Sequence, residues 1–255
     1  MHPPQPSDSD LAAFLRSLPK DAHSVEAVVC GAGVGLRNTS YCPRGYVEEL
    51  VKFVERPPRG LNLYKFGSRS VVGTIELEDG SAVVLKYYYP KGLIKHLTYG
   101  IGGSRCMRSW AAALAFEYLG LPTPPAMLVF ESHSLGGAWL AKSFLATGQA
   151  AGITLEQWVR QHEEDPARLE SIAERMRNLF TKMGQYRISH GDLKATNILV
   201  AEDDLVSLVD LDATQFLSPL REWPKRRKRD IRIFAENWGP RSTAAKIFAT
   251  VFPHS

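Results

Sequence analysis

Alternating apolar and polar positions are clearest between residues 61 and 88. Residues 61–66, 71–77 and 82–88 are rich in Val, Leu, Tyr and Phe, and Gly67-Ser68-Arg69-Ser70 and Glu78-Asp79-Gly80-Ser81 separate them. The pattern predicts three antiparallel strands joined by tight turns. The Ala-rich run 110–119 then reads as a helix, broken by Gly120-Leu121-Pro122-Thr123-Pro124. Residues 126–131 and 137–144 give two more strands. Thr154 caps a helix through Gln161, and residues 166–186 form a longer one with Leu169, Ile172, Met176, Leu179, Phe180 and Met183 at helical spacing. That stripe is core. Residues 198–200 and 205–209 flank the turn-prone Glu202-Asp203-Asp204 as a short hairpin, and Asp230 opens a last helix with Ile231, Ile233, Phe234 and Trp238. Strands first and helices afterwards predict an α+β fold, with a small antiparallel sheet followed by a mainly helical part.

The first 59 residues are harder to place. Residues 1–10, rich in Pro and Ser, read as a disordered tail, and 11–18 as a short helix. Gly31-Ala32-Gly33-Val34-Gly35 and Pro57-Pro58-Arg59-Gly60 bracket a segment, 45–55, whose mixed apolar spacing assigns it no role. The glycine run reads as a flexible connector, because no long helix or matching acid follows it as a phosphate loop requires.

Composition narrows the classes. With 255 residues and 44% hydrophobic content, the chain can fill one large core or two small lobes. Cys30, Cys42 and Cys106 are odd in number and lack metal-type spacing, which argues against a disulfide framework or a zinc site and for a reducing compartment. No apolar run is long enough to span a membrane, and the first residues lack a signal-peptide pattern. A cytoplasmic protein is expected, at most peripheral at the inner face of the cytoplasmic membrane. The sequon Asn38-Thr39-Ser40 would then carry no glycan. The net charge is +4, of which Lys225-Arg226-Arg227-Lys228-Arg229 supplies +5. Such a run can be a solvated helix face or a contact for anionic lipid or an anionic acceptor; sparse aromatics disfavour nucleic acid.

The candidate chemistry lies in His190-Gly191-Asp192-Leu193-Lys194-Ala195-Thr196-Asn197, followed by Asp210 at the end of the hairpin. Phosphoryl transfer needs positioning and charge neutralisation rather than covalent chemistry from the protein. Asp192 is placed to accept the proton of an acceptor hydroxyl, Lys194 to offset charge on the transferring phosphate, and Asn197 and Asp210 to hold Mg²⁺. His-Gly-Asp in place of His-Arg-Asp, and Asp210-Leu211-Asp212 in place of Asp-Phe-Gly, point away from eukaryotic protein kinases.

With Arg105-Cys106-Met107-Arg108-Ser109-Trp110, the Gly-Leu-Pro-Thr-Pro junction and Arg229-Asp230-Ile231, these motifs resemble the bacterial lipopolysaccharide kinase (Kdo/WaaP-type) family over roughly residues 60–240. The resemblance implies a bilobal protein-kinase-like domain over 60–255, with an N-lobe to about 145, a C-lobe from about 146, and an N-terminal extension at 11–59. It implies ATP and Mg²⁺ as cofactors and phosphorylation of a sugar hydroxyl in the lipopolysaccharide inner core. Gly67 and Ser68 would lie over the phosphates, Lys86 would contact them, and Glu117, the one acid of its helix, would be that lysine's partner. Ser143, Phe144 and Leu145 would meet adenine, Asp230 would brace the catalytic loop, and the basic insertion after Lys86 would touch the acceptor or form a lid. A compact atypical Ser/Thr protein kinase and a membrane-associated pseudokinase scaffold remain as alternatives.

Overall fold

The computed structural model describes residues 25–31, 33–53, 62–66, 70–89, 104–134, 139–217 and 222–252. The predicted tail 1–10, the helix 11–18, Gly67 and Ser68, and the insertion between 90 and 103 lie outside them. The described residues divide into two units. One is formed by residues to 114 together with 124–149, the other by 115–123 and 150 onward.

The first unit is built on a seven-stranded antiparallel sheet, ordered β1-β2-β6-β7-β5-β4-β3. Its strands are β1 (Val25–Cys30), β2 (Gly33–Asn38), β3 (Asn62–Phe66), β4 (Ser70–Glu76), β5 (Ala82–Tyr88), β6 (Ala126–Ser134) and β7 (Trp139–Gly148). The three-strand meander expected from the sequence is β3-β4-β5. Part of the expected N-terminal extension joins the same sheet, because β2 pairs with β6 from Gly33 opposite Ser132 to Arg37 opposite Leu128, while the segment 45–55 supplies most of a helix, Arg44–Val51. Gly33, Val34 and Gly35 of the glycine run are therefore strand rather than a flexible connector, and Gly33 pairs with Cys30. Two of these glycines are required by the close approach of β6: a Cβ on Gly33 would lie 2.2 Å from the Phe130 ring, and one on Gly35 2.3 Å from the Val129 carbonyl.

Helix α1 (Arg44–Val51) covers one face of this sheet. Val47 and Leu50 pack with Val83, Leu85 and Tyr87 of β5, Leu128 and Phe130 of β6, and Phe144 and Ala146 of β7. Strand alternation sends Val84, Lys86 and Tyr88 to the opposite face.

In the second unit, α2 (Arg105–Tyr118) contributes its last turn. Leu121 N–H donates to the Phe116 carbonyl at 2.8 Å and Gly120 N–H to that of Glu117 at 3.0 Å, a double closure that ends the helix. Helices α3 (Leu155–Gln161) and α4 (Pro166–Gln185) follow, the first capped by a reciprocal Thr154–Gln157 box and the second by Asp165. The predicted Met and Phe stripe of α4 is buried. Strands β8 (Ile153–Thr154), β10 (Ile198–Val200) and β11 (Val206–Leu208) form a three-stranded sheet, and β9 (Ile188–Ser189) pairs with β12 (Gln215–Phe216). Helix α5 (Trp223–Ala235) begins two turns before Asp230, against expectation. Pro224 occupies its first turn, where a missing N–H costs nothing, and the basic run is the helix itself. Helix α6 (Thr243–Phe248) packs Phe248 edge-on to Trp238, with ring centroids 4.9 Å apart.

Candidate active site

The catalytic string lies between β9 and β10, where two backbone N–H groups are held from a helix 40 residues away. Asp230, only 5% exposed, accepts from His190 N–H through Oδ2 and from Gly191 N–H through Oδ1, both at 2.9 Å. Burial pushes the Asp230 carboxyl above its usual range. Gly191 sits at φ +80°, and a Cβ there would lie 2.5 Å from the Ala213 carbonyl oxygen. That close approach excludes a side chain and accounts for glycine where protein kinases carry arginine.

His190 is fully buried, and burial lowers its pKa, so the ring is neutral. Its Nδ1 accepts a long bond from Asp192 N–H at 3.4 Å, which assigns the proton to Nε2, and Nε2 donates to the Val209 carbonyl at 3.0 Å. One imidazole thus ties the residue before Asp210 to the loop that carries Asp192.

Asp192 is held from two sides. Lys194 Nζ lies 2.9 Å from Oδ1 and 3.2 Å from Oδ2. Asn197 Nδ2 donates to the Asp192 carbonyl at 2.9 Å and to its Oδ2 at 3.3 Å, which directs the Asn197 amide nitrogen to Asp192 and makes Oδ1 the atom that could hold a metal. Val209 N–H donates to the Asn197 carbonyl at 3.0 Å, just beyond the Ile198–Leu208 pair, so Asn197 and Asp210 share the open end of the predicted hairpin. Asp210 adopts φ 61°, ψ 53°, a left-handed conformation unfavourable for any side-chain-bearing residue, and turns the chain into the 3-10 turn Leu211–Ala213. The Gly-Leu-Pro-Thr-Pro junction supports β11: Leu208 N–H donates to the Pro122 carbonyl at 3.0 Å, and Thr123 Oγ1 to that of Leu208 at 2.8 Å.

Asn237 is a residue the sequence did not reveal. Its Oδ1 accepts from Ala195 N–H at 3.1 Å while its Nδ2 donates to the Ile233 and Phe234 carbonyls, so it fastens the end of α5 to the catalytic loop. An Asn just past a helix end signals a cap, and nothing in its spacing points to residue 195. Among the described residues no three His, Cys, Asp or Glu side chains gather as a metal cluster. Asn197 and Asp210 fit Mg²⁺ nonetheless, since that ion takes one or two protein ligands and completes its shell with phosphate and water.

In the first unit, Lys86 stands opposite Val72 on β4 and Leu145 on β7. Its Nζ lies 5.2 Å from the centroid of the Tyr88 ring. Leu145 shares that face. Phe144, expected against adenine, instead stacks between Tyr87 and Phe130 on the face toward α1, at 5.9 and 6.0 Å. The backbone of residues 143–145 pairs on both sides, with β5 and with β6. Glu117 lies in the last turn of α2. In the basic run, Arg227 departs from expectation: it turns onto the Trp223 and Phe252 rings at 5.5 and 5.9 Å, half-buried beside Asp230. Lys225, Lys228 and Arg229 remain exposed.

The model of the lipopolysaccharide kinase (Kdo/WaaP) family matches residues 68–235, about two thirds of the chain. The chain belongs to this family. It is therefore a kinase, and the expected resemblance holds. No curated protein matches it. Among solved structures, WaaP in complex with acyl carrier protein superposes with a TM-score of 0.55 at 17% identity, covering 80% of each chain, a likeness of fold. Family membership implies use of ATP and usually of a divalent metal. Among the described residues no helix is long and apolar enough to cross a membrane.

Proposed function

We propose that this kinase transfers the γ-phosphoryl group of ATP to a sugar hydroxyl of the lipopolysaccharide inner core or of a related glycolipid. The observation that carries this reading is the fixing of Asp192 by Lys194 and Asn197, on a loop braced by Asp230. The Asp192 carboxylate takes the proton of the acceptor hydroxyl as its oxygen bonds to the γ-phosphorus. The bond from that phosphorus to the β–γ bridging oxygen breaks, and ADP leaves. Lys194 offsets charge on the transferring group. Asn197 and Asp210 would hold Mg²⁺, which neutralises the phosphates when bound.

Lys86 is proposed to contact the α- and β-phosphates, with Gly67 and Ser68 over them. Glu117 is the one acid that α2 offers to Lys86. Leu145, on the Lys86 face, is the apolar contact proposed for adenine; Phe144 is left to the core. The exposed Lys225, Lys228 and Arg229, with Arg226, are proposed to meet anionic lipid at the inner face of the membrane, each contributing about 1 kcal/mol.

Purified protein incubated with γ-labelled ATP, Mg²⁺ and an envelope extract tests the reading. Label should enter glycolipid, and Asp192→Asn should abolish transfer while ATP binding persists. Label confined to protein would replace this reading with a protein kinase. No label, with ATP bound, would favour a scaffold.

A further inference from the structure

Residues 192–197 are tied to one another by bonds of their own. Lys194 N–H donates to the Asp192 carbonyl at 2.8 Å, Asn197 N–H to the Lys194 carbonyl at 2.9 Å, and Asn197 Nδ2 to the Asp192 carbonyl at 2.9 Å. These bonds set the shape of the string but not its place on the rest of the unit. In its middle, the peptide that joins Lys194 to Ala195 is gripped from outside: Ala195 N–H donates to Asn237 Oδ1 at 3.1 Å, 42 residues away. Ala195 is 1% exposed, so that N–H is shut off from water and needs a protein acceptor.

Asn237 is itself fixed. Its Nδ2 donates to the Ile233 and Phe234 carbonyls at 3.0 and 2.8 Å, and because carbonyls only accept, the amide cannot be turned round. Its backbone N–H donates to the Phe234 carbonyl at 3.3 Å, and the next residue, Trp238, lays its ring edge-on to Phe234 and Phe248.

We infer that Asn237 is a positioning residue for phosphoryl transfer, acting through the Lys194–Ala195 peptide to set where the Lys194 ammonium can reach. The inference rests on the kinase reading above and adds a residue to it. Capping of α5 accounts for Nδ2 but not for Oδ1. An asparagine that only closed the helix could leave Oδ1 in solvent, whereas here that atom is turned onto a buried N–H of the loop. Among short side chains asparagine alone offers an acceptor together with a pair of donors. The Lys194 side chain is long and exposed, so its reach is governed by the backbone that carries it. A displacement of about 1 Å at such a group can cost about 10²-fold in rate.

Initial rates of label transfer from γ-labelled ATP to envelope glycolipid by the full chain test this, at a temperature where calorimetry shows every variant folded. Asn237→Ala should lower kcat about 10- to 100-fold with KM for ATP within about twofold. Asn237→Asp keeps an acceptor for Ala195 N–H and discards both donors, so it should unfold as early as the Ala variant yet keep kcat within about threefold of wild type. On a Lys194→Met background, Asn237→Ala should lower kcat by less than about threefold more, because the side chain it positions is gone. Full kcat in folded Asn237→Ala would overturn the inference. So would an Asp variant as slow as the Ala variant, which would tie the loss to the helix cap, or an undiminished loss on the Lys194→Met background. Label entering protein instead of glycolipid would change the acceptor, and the same comparisons would then decide the inference on that label. A wild type that transfers no label would overturn both this inference and the kinase reading.

Discussion

Replacing Asp230 separates bracing of the catalytic loop from general support of the fold. Asp230→Ala leaves the His190 and Gly191 N–H groups, both buried, without their acceptor. Hydrogen bonds to a charged group contribute about 1.5–3 kcal/mol each, so the gross loss is about 3–6 kcal/mol. Removing a buried carboxylate whose pKa is raised by desolvation returns part of that, leaving about 2–4 kcal/mol. In a unit of this size each kcal/mol shifts the melting temperature by about 2–4 °C. Asp230→Asn keeps one acceptor and turns an amide N–H₂ toward the other donor, so it should fall between Ala and wild type. Calorimetric unfolding measures the stability term. Steady-state kinetics at 15 °C, where the variants remain folded, measures the second consequence: kcat should fall at least tenfold with KM for ATP little changed, because the loop carrying Asp192 loses its fixed position. An Ala variant that melts with wild type would refute the energetic argument. One that is destabilised yet retains full kcat when folded would refute the bracing argument.

Lys194→Met should lower kcat about 10²–10³-fold while leaving KM for ATP within a few-fold, since the side chain lies on Asp192 and its proposed role is at the transferring group rather than in holding the bound nucleotide. Rapid-quench measurement of the first turnover checks that the loss lies in the chemical step. The buried, neutral His190 makes stability depend on pH with a definite sign. In the unfolded chain it titrates near 6.5, and in the folded state lower. Its contribution is fully present above pH 6.5 and is lost as the pH falls below that value, by up to about 1.4 kcal/mol per pH unit. Urea unfolding between pH 7.5 and 5 should show this slope in wild type and a shallower one in His190→Gln; parallel curves would exclude it.

The catalytic string was legible because its chemistry is local. Asp192, Lys194 and Asn197 lie together in one short loop, and the hairpin that brings Asp210 back is announced by alternation and an acidic turn. The meander β3-β4-β5 and the core stripe of α4 were legible for the same reason. What escaped depends on partners far along the chain. Gly33 and Gly35 look like a linker until Phe130 is laid across them from β6. Phe144 reads as a contact for adenine until the strand register places it with Tyr87 and Phe130 on the face toward α1. The start of α5 was placed too late because its first two turns carry charges rather than an apolar stripe.

The support of the site follows the same division. The residues proposed to meet the reacting groups lie within 19 positions of one another, from Asp192 to Asp210. The residues that hold them come from α5 and its end, Asp230 and Asn237, and bind the loop through backbone N–H groups. Backbone donors carry no sequence signature, so Asp230 was expected as the brace through the family resemblance alone, and Asn237 was not expected. Arg227 was not expected there either, since it reads as part of a surface patch while lying half-buried beside Asp230. The +5 run is therefore divided by helical phase. Its inward residue offsets the charge that braces the catalytic loop, and its outward residues remain available to an anionic surface. Charge reversal at Arg227 should accordingly damage the loop, whereas reversal at Lys225 or Lys228 should leave the chemistry intact and weaken only binding to anionic vesicles.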